Sequence, residues 1–382
     1  MPVERKIAGA IIGSALGDAI GTFTEYCSHA SAIDLYGTCP RFTLQIPAPD
    51  HLTGAKQTQH EYPSPPSEWT DDTDQALLIL MSFLASGGKT IDPYDFAKRL
   101  RSWVQNGLRC LGRAALGIGK TVGGVVRSED FERDPFGASI KFWEAGNRQV
   151  ASNGAVMRTG IIGALLFRDL DGENGIDRAM SVAIQVAAVT HADPRRLVSC
   201  AIVTGLVATA MRDELRTLED FESVVQRAIE HLKNPSLPTK LGTCTQGLTA
   251  ISSEQTKELY NYVDALHRFR NGNGYTYVTL GAGVWAIRQA LGASAGDLDS
   301  IFEWCITMVV MQGGDSDTNA AVAGTLLGTY LSSERLPVEW VKYLKGVDWL
   351  IEKSRNAAYL VDPDGGYSPY NWAEDKDLLI AD

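Results

Sequence analysis

Apolar residues recur along this chain at three- and four-residue spacing, and no alternating run longer than four or five residues stands out, so the pattern predicts helices almost throughout. Expected helices cover 4–21, 76–85, 93–108, the stretch from the Ser152-Asn153-Gly154 turn to Phe167, 176–189, 196–211, 277–291, 298–311 and 320–331. In the first of these, Gly9, Gly13, Gly17 and Gly21 fall every fourth position and share one face. A helical glycine costs ~1 kcal/mol, so four in register predict a close backbone approach in the middle of a bundle. Leu197 to Met211 carries no charge and is bracketed by Arg196 and Arg212; a membrane span needs ~20 residues, so this run is expected to be a buried core helix.

Between the helices, 38–68 is rich in Pro, Thr, His and Gln and is expected to be a long surface loop. Residues 233–256 read as loop, and the tail 362–382, acidic and containing Gly and Pro, reads as surface. Helices resume directly after the first loop and candidate acids stand on both sides of it, Glu25 before and the 68–74 cluster after, so residues 1–382 are expected to form a single domain. The fold class expected is all-α, a compact helical bundle.

Composition changes this picture little. Hydrophobic residues make up 45% and charged residues 21%, as in ordinary globular proteins. The net charge of −11 with no Lys/Arg cluster argues against a nucleic-acid surface, and a phosphate-bearing ligand would have to be held by backbone N–H groups and isolated cations. The six cysteines are scattered without a CxxC pair, which points to a reducing compartment and to neither a zinc site nor a disulfide framework. The start MPVERKIAGAII lacks a signal-peptide layout, so the protein is expected to be soluble, without a membrane partner, and cytoplasmic or nuclear.

Two acidic clusters alter it a great deal. Gly313-Gly314-Asp315-Ser316-Asp317-Thr318-Asn319 leads into the small-residue run 320–324, and Glu68-Trp69-Thr70-Asp71-Asp72-Thr73-Asp74 leads into the helix at 76. One Asp, Ser or Thr would cap a helix. Two acids with hydroxyls at each helix start also suit a divalent cation bound by hard oxygen ligands, and neighbouring carboxylates repel unless a cation lies between them. If the clusters meet, the chain closes around a site at converging helix N-termini, whose partial positive charge suits phosphate. Glu25 is the first acid placed to act from a loop beside such a site. The glycine-rich stretch 116–124 lacks Walker spacing; Ser152-Asn153-Gly154 reads as a helix cap, and His191 sits at a helix junction where a pocket can open.

Taken in order, GAIIGSALGDAIGTFTE (9–25), EWTDDTDQALLIL (68–80), the Gly117-Ile118-Gly119 loop, SNGAVMRTGIIGALL (152–166), THADPRR (190–196), GNGYTYVTLGAGVWAIRQAL (272–291) and QGGDSDTNAAVAGTLLG (312–328) resemble the ADP-ribosylglycohydrolase superfamily. That group includes the dinitrogenase reductase-activating glycohydrolases and the ADP-ribosyl-acceptor hydrolases. The resemblance implies an orthogonal all-α fold with two Mg²⁺ ions, replaceable by Mn²⁺, in a central cleft. It implies Thr70, Asp71, Asp72, Asp315, Asp317 and Thr318 as metal ligands and Glu25 as the acid/base. Gly117, Gly119, Ser152, Asn153, Gly154, Met157, Arg158 and His191 would line the ADP-ribose site.

The activity implied is hydrolysis of the ribose C1″ glycosidic bond, with an ADP-ribosylated protein or small ADP-ribose conjugate as partner and ADP-ribose as product. An arginine linkage is slightly preferred over a serine one. A non-catalytic ADP-ribose-binding or structural protein on the same fold, and a binuclear-metal phosphohydrolase, stand as alternatives.

Overall fold

A computed structural model describes residues 2–54, 67–233, 250–263 and 274–380. The helices are α1 (Val3–Gly21), α2 (His29–Tyr36), α3 (Asp71–Ala85), α4 (Pro93–Asn106), α5 (Lys120–Val126), α6 (Pro135–Ala145), α7 (Val156–Leu166) and α8 (Gly175–Ala188). They continue as α9 (Pro194–Met211), α10 (Leu218–Lys233), α11 (Ser253–Val263), α12 (Thr276–Gly292), α13 (Leu298–Val310), α14 (Ser316–Leu331), α15 (Val338–Tyr343) and α16 (Val347–Val361). Among the described residues extended pairing is limited to isolated bridges, such as Ser152 with Tyr275. The fold is all-α. None of the described helices is long and apolar enough to cross a membrane.

The glycine register of α1 explains the centre of the molecule. A Cβ at Gly9 would lie 2.0 Å from the Gly328 carbonyl oxygen, at Gly13 2.3 Å from that of Gly324, and at Gly17 2.0 Å from that of Ala320. At Gly21 it would lie 2.2 Å from Asp317 Cα. As numbers rise on α1 they fall on α14, so the two helices run antiparallel with their backbones touching. The last turn of α1 therefore meets the first turn of α14, where the second acidic cluster lies. Both helices are almost wholly buried, and α3, α7, α9, α12 and α13 pack around them. Lys6, buried at the far end of α1, donates to the carbonyls of Ala210 and Met211 at 2.7 and 3.1 Å and so satisfies the end of α9.

The helices at the site start earlier than the apolar periodicity suggests. α3 begins at Asp71 rather than 76 and α14 at Ser316 rather than 320. The acids thus occupy first turns, where their position is fixed by helical geometry. Glycines 123 and 124, expected in a loop, belong to α5.

Two expectations about loops need correction, and the surface tail proves to be anchored. Residues 38–54 are not simply surface: Phe42 and Leu44 are buried, Phe42 packs edge-on against Phe23 at 5.4 Å, and its carbonyl accepts from Trp340 Nε1 at 2.8 Å. Residues 55–66 of that loop lie outside the described residues. The 233–256 stretch meets the ends of α10 and α11, with 234–249 outside the described residues. The tail is pinned: Lys353, buried on α16, reaches Asp375 and Asp377 at 2.7 and 2.8 Å, and Arg99 donates to the Leu378 carbonyl at 2.9 Å.

Candidate active site

The site is built where α1 ends. Gly313 and Gly314 take φ values of 69° and 73°, a region glycine enters freely. The turn they form is stitched to the chain after α1: Tyr26 N–H donates to Gly314 O at 2.7 Å, and Gly314 N–H to Cys27 O at 2.8 Å. Thr24 Oγ1 donates to Val310 O at 2.7 Å. These bonds set Glu25 beside Asp315 and Asp317, with carboxylate oxygens of all three within 4.8 Å of one another.

The second cluster is brought in by a residue the sequence reading passed over. Asp18, fully buried on α1, accepts from Thr70 N–H and Thr70 Oγ1 with one oxygen, both at 2.9 Å. Its other oxygen accepts from Thr73 N–H and Thr73 Oγ1 at 3.0 and 2.7 Å. A carboxylate of α1 therefore caps α3 from outside. Neither α3 nor α14 is capped by the side chain at its own N-cap position; in the first turn of α14, Asp317 Oδ1 accepts from Thr318 N–H at 2.9 Å. Oxygens of Asp18, Asp72 and Asp317 lie within 4.8 Å of one another. Asp18 was findable: between Ile7 and Ile20 the only polar side chains are Ser14 and Asp18, and a buried acid in an apolar helix must have partners.

The two clusters share one cavity of about 1230 Å³. It is lined by Glu25, Thr70, Asp71, Asp72, Asp315, Asp317 and Thr318, and on a second wall by Gly117, Gly119, Ser152, Asn153, Gly154, Met157 and His191. Gly117, at φ 83°, approaches so closely that a Cβ there would lie 2.6 Å from Asp71 Oδ1. Asn153 does not cap α7; its amide donates to Asp315 Oδ2 and to Thr279 Oγ1, both at 2.9 Å, and the N-cap position is Ala155. Ser152 is likewise no cap: its hydroxyl meets Thr121 Oγ1 at 2.9 Å, Arg196 at 3.1 Å and His191 Nε2 at 3.4 Å. Burial, with Arg196 and Arg158 nearby, pushes the His191 imidazole well below its usual range, so it is neutral at pH 7.

Arg158 departs from the expected set. One position on from Met157, it turns away from the cavity, and its guanidinium is fully buried between helices. It donates to Gln75 Oε1 and Thr190 Oγ1 at 2.7 Å and lies 4.8 Å over the Phe96 ring. Its link to the site is indirect, since Gln75 Nε2 donates to Asp71 Oδ2 at 2.9 Å. Asp74, the remaining acid of the first cluster, also faces elsewhere. It accepts from the indoles of Trp69 and Trp103 at 2.8 and 2.9 Å and pairs with Arg113, holding the 69–70 segment and α4 against α3.

Like charges gathered out of water raise one another's pKa. Burial first, then the charges of Asp18, Asp74, Asp315 and Glu25, pushes Asp71 up to about 8. Glu25 rises to about 7, chiefly through burial, against the opposing hydrogen bond of Tyr26 and with further help from Asp315 and Asp18. Asp72 and Asp317 are held well above the usual carboxylate range by burial and by their neighbours. Asp72 Oδ1 is buried with no hydrogen-bond partner. An all-oxygen cluster that includes a buried carboxylate oxygen without a hydrogen bond fits a hard divalent cation.

A stability prediction follows from the sign of these shifts. The folded state holds these protons more tightly than the unfolded chain, so unfolding releases them and cation-free stability falls as pH rises from about 4 through about 8. A bound cation relieves the repulsion, so the melting-temperature gain from added MgCl₂ should be much larger at pH 8 than at pH 5.5. Equal gains at both values would show that the acids are not the binding groups.

The sequence profile of the ADP-ribosylglycohydrolase family matches residues 1–365. The chain is 24% identical over 340 residues to the ADP-ribosylarginine hydrolase Tri1 of Serratia proteamaculans, covering 89% of this chain and 75% of that one. It is 23% identical over 344 residues to the ADP-ribosyl-[dinitrogen reductase] glycohydrolase of Rhodospirillum rubrum, covering 90% and 91%. With the ADP-ribosylhydrolase ARH3 of Gallus gallus it shares 22% identity over 356 residues, covering 89% of each. A solved structure described as an ADP-ribosylglycohydrolase-related protein complex superimposes with a TM-score of 0.61 at 23% identity, covering 94% of this chain and 98% of that one. The chain belongs to the ADP-ribosylglycohydrolase family.

Proposed function

We propose that this hydrolase releases ADP-ribose from modified protein side chains by cleaving the ribose C1″ bond in a Mg²⁺-dependent reaction, with arginine-linked conjugates preferred over serine-linked ones. The observation that carries the reading is Glu25 lining the cavity, its carboxyl within 4.8 Å of the Asp315 and Asp317 oxygens. The same cavity is lined by Gly117, Gly119 and Gly154 with the small polar side chains of Ser152 and Asn153. The arginine preference is supported by two relatives named as ADP-ribosylarginine hydrolases.

Thr70, Asp71, Asp72, Asp315, Asp317 and Thr318 would hold the ions. When bound, two Mg²⁺ ions supply positive charge that balances the acids and orients the vicinal hydroxyls of the ribose. The remaining work falls to the chain. The diphosphate rests on backbone N–H groups of the 117–119 loop and of Gly154, while the Asn153 N–H is taken by Gly274 O at 3.0 Å, so no basic patch is required. Lys120 is the one Lys or Arg among the described residues lining the cavity, and it suits a single phosphate contact. Neutral His191 and Arg196 fix the Ser152 hydroxyl from behind. Glu25 takes a proton from the water that adds to C1″, the C1″–N bond breaks, and the proton held on Glu25 passes on to the departing nitrogen.

The test is Glu25→Gln. Removing a general acid/base costs about 10²- to 10⁴-fold in kcat; ADP-ribose affinity, measured by calorimetry, should change little because Gln keeps the shape and a hydrogen-bonding oxygen. Turnover at the wild-type rate would remove Glu25 from the reaction. Product analysis tests the bond cleaved: intact ADP-ribose supports glycosidic cleavage, and AMP would instead establish phosphohydrolysis.

A further inference from the structure

The cavity is larger than a typical small-molecule site. Its 1230 Å³ exceeds the ~300–1,000 Å³ typical of small-molecule sites, which leaves room for the group that departs. Part of the lining comes from the turn after α1 together with α2, which present Tyr26, Ser28, Ser31, Asp34 and Leu35.

Two features of this wall are unusual. Tyr26 is 75% exposed and takes φ 60°, a left-handed conformation that side chains other than glycine rarely adopt. The hydrogen bonds to Gly314 and from Gly314 to Cys27 pin that conformation. It places the ring at the mouth of the cavity with the phenol hydroxyl on Glu25. Strained backbone that holds an aromatic ring out of the core and beside a reacting carboxyl points to a role in the site. Asp34, exposed on α2, adds a carboxylate to the same wall. The wall carries no Lys or Arg, whereas Lys120 stands among the glycine loops. The lining thus carries its one cation beside the 117–119 glycines and an aromatic ring and an exposed acid on the turn after α1 and on α2.

We infer that Tyr26 and Asp34 form the subsite for the departing side chain and select a cationic acceptor, the guanidinium of a modified arginine. A guanidinium is planar and permanently charged; it stacks on an aromatic face and donates to a carboxylate with paired N–H groups. A serine hydroxyl or an acetyl group can do neither. The inference rests on the glycohydrolase reading and adds to it the residues that choose the linkage.

The experiment compares kcat/KM for one peptide carrying arginine-linked ADP-ribose and one carrying serine-linked ADP-ribose, with Mg²⁺ present, across wild type, Tyr26→Ala, Tyr26→Phe and Asp34→Asn. Tyr26→Ala should lower the arginine-to-serine ratio roughly tenfold, the size of one partly desolvated cation–π contact. Tyr26→Phe, which keeps the ring, should restore the ratio. Asp34→Asn, an exposed change that leaves the fold alone, should lower the ratio several-fold, less so at high salt. A ratio unchanged in both Tyr26→Ala and Asp34→Asn overturns the subsite. So does a wild-type enzyme that cleaves the serine linkage and not the arginine one, although ADP-ribose release then still stands. Release from neither conjugate overturns both readings.

Discussion

Asp317→Asn is expected to give a folded protein that has lost ADP-ribose release and no longer gains stability from Mg²⁺. Asp317 is shared by both acid groups, lying within 4.8 Å of Asp18 and Asp72 on one side and of Glu25 and Asp315 on the other. On the proposed assignment, removing its charge withdraws a ligand common to two ions, so the loss should exceed that from either flank. A metal site contributes several kcal/mol of transition-state stabilisation, and four kcal/mol is roughly 10³-fold in rate. The stability readout separates a ligand from a structural residue. Without cation, Asp317 is a buried acid among like charges, and burial with the charges of Glu25, Asp72, Asp315 and Asp18 raises its pKa. Neutralising it should therefore raise the cation-free melting temperature at pH 8 and abolish the further rise on adding MgCl₂. A structural aspartate would do the opposite, lowering the melting temperature in both conditions. Asp315→Asn should behave similarly but retain part of the stability gain, because Asp315 belongs to one group only. Wild-type cation affinity in both variants would defeat the ligand assignment.

How much of this was legible beforehand depends on what each residue's position is coupled to. The pairing of α1 with α14 could be anticipated from one side, because glycines every fourth residue have few reasons other than close approach. That the partner would be the helix starting in the second acidic cluster needed Gly324 and Gly328, which sit in register with Gly13 and Gly9. The acids at 71, 72, 315 and 317 stood out because carboxylates and hydroxyls at helix starts are a local signal. Asp18 is a non-local one: its four partners lie more than fifty residues away, and only its isolation in an apolar helix marks it. Arg158 shows the converse. It lies next to Met157 in the same motif, but successive helical residues diverge by ~100°, so adjacency in sequence separated the two across a wall. α10 could have been read from Phe221, Val224, Val225, Ala228, Ile229 and Leu232, whose spacing makes one buried stripe. The role of Phe42 could not, since a single aromatic in a Pro-rich stretch carries no period.

Gly13→Ala should be strongly destabilising, and the sign of the effect decides between two physical accounts. Helix propensity alone says that Ala in place of an interior Gly stabilises by ~1 kcal/mol. Packing says the reverse, because the new Cβ would lie 2.3 Å from the Gly324 carbonyl oxygen and 3.2 Å from Gly328 Cα. Both obstacles are backbone, so no rotamer change relieves them and the helices must separate. Overpacking against movable side chains costs ~1–3 kcal/mol; here the cost should reach the top of that range or exceed it, leaving a net loss of ~2 kcal/mol or more after the propensity gain. Gly292→Ala supplies the control, since it sits at the end of α12 with nothing within 4 Å of its Cβ position and should be neutral or slightly stabilising. Thermal unfolding of the three proteins side by side measures the difference. A Gly13→Ala variant melting at or above wild type would mean that α1 and α14 are not in backbone contact. Gly21→Ala then connects packing to chemistry: its Cβ would meet Asp317 Cα at 2.2 Å, so separating the helices there moves a carboxylate that both acid groups share. It should lower Mg²⁺-dependent stabilisation and turnover together, whereas Gly13→Ala, two turns away, acts first on stability.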